Sequence, residues 1–154
     1  MAVEKTHIKT KGVGIKDLDA FRKDLQRLVR EGGPNGLSLL KAANYRVAEH
    51  VRTRAVVRAA GVGRQQLKAA QSMRSSKAAT RASLTGGNAK VPFFSGAEFG
   101  SLTYPQFPLW KAPGHGNTGY FLFPTLRAES ETIKEMYVRE LDDICKIAFP
   151  TGRL

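Results

Sequence analysis

One cysteine, three histidines, and no acidic residue between His50 and Ala97 are the scarcities that frame this 154-residue chain. A lone Cys145 excludes an intramolecular disulfide framework and a cysteine-based zinc cluster. On an apolar helix face it reads as a buried, inert thiol. His7, His50 and His115 are scattered, with no spacing that puts two imidazoles on one helix face near a carboxylate, so no metal is expected. No G-x-S-x-G elbow occurs, and the glycine-rich pieces GVG and GHG lack the continuation that cradles phosphates. Neither an enzyme nor a cofactor is expected. No stretch approaches the ~18 apolar residues of a membrane span, and the opening MAVEKTHIKTKG lacks the apolar core of a signal peptide. The chain is therefore expected to be made and kept in a cytoplasm, with no membrane partner.

What is present is positive charge. The formal net charge is +12, and the acid-free stretch carries Arg52, Arg54, Arg58, Arg64, Lys68, Arg74, Lys77, Arg81 and Lys90. Charge runs are often just a solvated face, but surfaces selected for solubility intersperse both signs. A one-sign run this long points to a polyanion or to the acidic surface of a neighbouring subunit. No helix-turn-helix, RNP motif or zinc finger is visible, so nucleic-acid binding would be sequence-independent and salt-sensitive.

An aromatic block follows. Phe93, Phe94, Phe99, Tyr104, Phe107 and Trp110, with the solitary carboxylate Glu98, form a candidate subunit or partner interface. Glu98 reads as an interface or structural group rather than a general acid. Tyr120, Phe121 and Phe123 read as residues that close a core. Trp110, between Pro108 and Pro113, sits where an aromatic is exposed unless a partner covers it.

Hydrophobic spacing predicts an α+β fold in a single domain over 1–154, its first 14 residues flexible. A short strand is expected within 3–15. A helix follows from Asp17, with Leu18, Phe21, Leu25 and Leu28 inward, and stops at Gly32, Gly33 and Pro34. A second helix is expected over about 37–60, lined by Leu37, Leu40, Val47, Val51 and Ala55. A helical turn over 65–70 leads to polar strands at 71–76 and 79–85. Residues 91–119 read as a long irregular Pro/Gly/aromatic loop. Tyr120 to Phe123 reads as a strand closed by Pro124. A last helix over about 126–149 presents Ile133, Met136, Tyr137, Leu141, Ile144 and Ala148 on one face. Two N-terminal helices and a C-terminal helix would pack on a small, mainly antiparallel sheet.

The order of these features resembles the tail-completion, or neck, proteins of long-tailed bacteriophages, the small head-to-tail connector and minor morphogenesis proteins. The resemblance runs over roughly residues 15–149, through GRQQLKAAQSMR, FPLW and, most specifically, GAEFGS at 96–101 and GYFLFPTLR at 119–127. Gly63, Leu67 and Ser72 look like the turn and anchor before the family's hairpin, and Glu98, Phe99 and Gly100 like its E-F-G turn. A Pro, Gly and Trp insertion at 102–118 departs from the family pattern. The resemblance implies a structural subunit that forms a ring, commonly six-fold, at the head–tail junction of the virion. It also implies adaptor or stopper proteins, a tail terminator or tail tube, and non-specifically held DNA as partners. A tail terminator or head-completion stopper, and a stand-alone non-specific nucleic-acid-binding protein, are the alternative roles.

Overall fold

A computed structural model describes residues 33–107 and 119–148, together with the helical positions Arg27 and Arg30. The expected strand within 3–15 and the rest of the first expected helix lie outside the described residues. So does Trp110.

The described fold is α+β, five helices and one two-stranded antiparallel sheet. Its axis is α1, Gly33–Val62, about 45 Å long at the helical rise per residue. Gly33 and Pro34 lie in the first turn of this helix, which begins four residues before its expected start, and proline is tolerated where first-turn amides have no intrahelical acceptor. Leu40, Ala43, Asn44, Val47, Ala48, Val51, Ala55 and Ala59 are all buried, a continuous stripe at three- and four-residue spacing.

A short turn at Gly63 leads into α2, Arg64–Gln71. The hairpin follows, β1 Arg74–Lys77 and β2 Ala82–Thr85, with Arg74 opposite Thr85 and Lys77 opposite Ala82. Strand β2 falls inside its expected span, whereas β1 runs one residue past its own to Lys77, and the turn occupies 78–81 rather than Lys77 and Ala78. The hairpin packs on α1, where buried Asn44 donates from Nδ2 to the carbonyls of Ala78 at 2.8 Å and Ala79 at 3.0 Å. The Tyr137 hydroxyl donates to Asn44 Oδ1 at 3.0 Å, so one amide ties three elements together.

Residues 91–119 are not wholly irregular, since α3, Phe94–Phe99, lies within them. The expected strand at Tyr120 to Phe123 is instead the start of α4, Leu122–Ala128. A break at Glu129 separates α4 from α5, Ser130–Ala148, so the single closing helix expected from about 126 is two. Helix α5 runs antiparallel along α1 and packs chiefly on it rather than on the sheet, with Ile144 beside Leu40 and Ala43. Of the expected inner face of α5 Ile144 is fully buried, and Ile133, Met136, Tyr137 and Leu141 are half-buried.

The main core joins Ala55, Ala59, Ala69, Ala70 and Ala97 to Met73, Val91, Phe107 and Phe121. The crowding of Ala and Arg along α1 and α2 thus has a structural division. Core alanines let the helices approach closely, while Arg58 and Arg64 point outward.

Candidate interaction surface

The two most specific pieces of the sequence pattern meet at Glu98. Its side chain is fully buried, and Oε2 accepts from the amides of Phe121 at 3.1 Å and Leu122 at 3.0 Å while Oε1 accepts from Phe123 at 2.9 Å. Position 124 is proline and has no amide hydrogen, and the Thr125 amide already reaches the Phe121 carbonyl at 3.2 Å. Every amide of the first turn of α4 is therefore accounted for, most of them by a carboxyl group more than 20 residues upstream. This long-range cap is why a stretch that alternates like a strand is a helix. The Tyr120 amide also donates to the Glu98 carbonyl at 2.9 Å. Gly119, at φ +104°, passes so close that a Cβ there would lie 2.2 Å from Glu98 Oε1, so the position requires glycine. Glu98 is a clasp that pins together the two ends of the loop between α3 and α4.

The candidate interface aromatics divide. Phe107 is buried and stacks on half-buried Phe93 at 5.6 Å, and half-buried Phe94 meets Phe121 edge-on at 5.6 Å. These three, with Glu98, build the subunit interior. Phe99 is exposed and paired with Phe123 at 5.3 Å, and Tyr104 is exposed, so these remain available to a partner.

The cations divide as well. Arg52 is bidentate on Glu49 at 2.9 Å, and Arg54 Nε donates to Glu129 Oε1 at 2.8 Å. The acid-free stretch is thus partly compensated in space by acids outside it. Arg58, Arg64, Arg74, Arg81 and Lys90 are exposed. Lys68 and Lys77, also exposed, lie 5.8 Å and 5.1 Å from the ring centroids of Phe93 and Tyr45. The cationic surface therefore runs from the C-terminal end of α1 over α2, the hairpin and the turn at Lys90.

Sequence reasoning missed two nodes, because each assembles residues far apart in the chain. One is Asn44 with the 78–79 carbonyls and Tyr137. The other is Glu129, which accepts from Arg54 and contacts His50 Nε2 at 2.8 Å beside a cavity of about 230 Å³ lined also by Val57, Arg58 and Thr125. Hydrogen bonds from His50 and then Arg54 hold the Glu129 carboxyl below its ordinary range. A carboxylate so stabilised is a poor proton acceptor, and its chemistry here is to fasten α4 and α5 to α1. Burial, and secondarily Asp142, pushes the Cys145 thiol up, away from the reactive thiolate form.

Among the described residues no group of three metal-ligating side chains converges, and no helix is long and apolar enough to cross a membrane. No protein-family model, no curated protein and no solved structure matches the chain.

Proposed function

We propose that this protein is a structural subunit of a bacteriophage neck, forming a ring around the DNA channel and joining the DNA-filled head to the tail. The Glu98 clasp carries the reading. GAEFGS and GYFLFPTLR, the stretches that most resemble the neck family, form one hydrogen-bonded unit through Glu98 and the amides of Phe121, Leu122 and Phe123. The exposed cations of α1, α2 and the hairpin support it too, since a neck ring borders both DNA and other virion proteins.

A phage deleted for this gene is expected to accumulate filled heads and free tails that join when the purified protein is added. Normal tailed particles in its absence would contradict the proposal. The same exposed cations favour, as the second reading, a protein that binds nucleic acid on its own. Tight duplex binding with a steep log-linear loss in salt, by a protein dispensable for joining, would select that reading.

A further inference from the structure

We propose that neighbouring copies of this chain meet head to tail, the outer face of α5 on one copy lying against the outer face of the C-terminal part of α1 on the next. This contact rests on the ring reading above and specifies the surfaces that would build it.

Two helix faces are exposed and complementary in charge. On α1, Val57, Arg58 and Gly61 lie within about one helical turn and are exposed, and a Cβ placed on Gly61 would have no atom within 4 Å. Val57 is 63% exposed between two arginines. On α5, Glu131, Glu135, Val138 and Asp142 recur at helical spacing and are exposed, with Val138 66% exposed among three acids. Each face thus offers an apolar contact point ringed by charge of one dominant sign. Lys134 and Lys146 lie beside the acidic face and pair with Glu131 and Asp142, but Ser130–Ala148 still carries five acids against three bases. Residues 51–90 carry nine bases and no acid.

The charge pattern also selects the symmetry. A two-fold contact through the α1 face would set Arg58 against the Arg58 side of its mate, and one through the α5 face would set acid against acid; like charges brought together disfavour both. Only the unlike faces attract, and joining two different faces propagates from copy to copy until it closes into a ring or extends as a filament. The faces are far enough apart for this. Tyr137 sits at the level of Asn44 and Glu140 at that of Arg46, which places Val57 about 18 Å farther along α1 than Val138 by the helical rise.

The test uses the full-length protein in sedimentation velocity at low ionic strength, with Arg58→Glu and the double variant Glu135→Lys/Asp142→Lys. All three positions are exposed, so circular dichroism should remain native. Each variant alone should self-associate about tenfold or more weakly than the parent. An equimolar mixture should recover association, because alternating copies restore both unlike contacts. Failure of the mixture to recover would overturn the contact, as would loss of DNA affinity in Arg58→Glu with self-association unchanged. An oligomer that persists in both variants would overturn the contact and leave the ring reading standing. A parent that stays monomeric at all concentrations would also overturn it, with the neck role then decided separately by head–tail joining.

Discussion

The central turns of α1 and the stretch from its C-terminal end to Lys90 treat their cations differently. Toward its central turns Arg46 pairs with Glu140 and Arg54 with Glu129, so positive charge fastens α5 and the α4–α5 junction to the long helix, while Arg52 pairs with Glu49 on the same helix. From Arg58 through α2 and the hairpin to Lys90, exposed cations have no acid within the same stretch of chain. Charge at one end is part of the subunit's architecture, and charge at the other is presented outward. Neutralising the two ends should therefore have different consequences, one on folding and one on assembly.

The largest effect is expected where neither end is involved, at the Glu98 clasp that joins α3 to the start of α4. Glu98→Ala strips the acceptor from three amides at once, each worth about 1–3 kcal/mol when left buried and unsatisfied. Urea unfolding should show a loss of several kcal/mol, with Glu98→Gln, which keeps one carbonyl oxygen, falling between. A loss below about 1 kcal/mol for the alanine variant would mean that the start of α4 is secured some other way.

At the architectural end, Asn44→Ala should cost about 1–3 kcal/mol by removing the amide that holds the hairpin turn and Tyr137. Hydrogen exchange should localise the loosening to 74–85. Uniform exchange changes across the chain would contradict the role of Asn44 as a local tie.

Acid should act on the same end. Arginine hydrogen bonds depress the Glu49 and Glu140 carboxyls, and His50 with Arg54 depresses Glu129, all below the ordinary glutamate value of 4.5. Because the folded values lie below the unfolded ones, these pairs contribute fully above about pH 4.5, and their contribution is lost as pH falls through the lower folded values. The unfolding midpoint should consequently fall on acidification below that range, and a Glu129→Gln/Glu140→Gln variant should show a shallower fall. An identical acid profile in the variant would place the titrating groups elsewhere.

The smallest and most diagnostic contrast compares single arginines. Arg46→Ala should lower stability by about 0.5 kcal/mol or less, since its guanidinium is half exposed, and the loss should shrink in high salt. Arg58→Ala should leave stability unchanged or raise it slightly, because removing one cation from a one-sign surface relieves repulsion. Equal losses at both positions would erase the distinction between the ends.

How much of this was legible follows the reach of each signal. The helical turn over 65–70 and the polar run after it placed α2 and the hairpin to within a few residues, because those elements are decided by neighbours close in the chain. Tyr120 to Phe123 was misread because the group that caps α4 is Glu98, far upstream, and no local pattern announces a cap that arrives from another helix. Glu98 itself read as a lone carboxylate for the same reason. Gly33 and Pro34 fit a first turn as well as a stop, so the sequence put the start of α1 four residues late. The cationic stretch was visible as composition, but its division into paired and outward arginines depends on Glu129 and Glu140, which reach it only in the folded chain.

Head–tail joining with purified components tests the central claim most directly. Arg58, Arg64 and Arg81 are changed together to glutamate, all three being exposed cations of the outward end, and the product is compared with a protein in which Arg46 and Arg54 of the architectural end are changed to glutamine. The outward-end variant should remain folded yet join heads to tails about tenfold less efficiently or worse, while the architectural-end variant, once shown to be folded, should join normally. Normal joining by the outward-end variant would return those arginines to an ordinary solvated face and contradict the account.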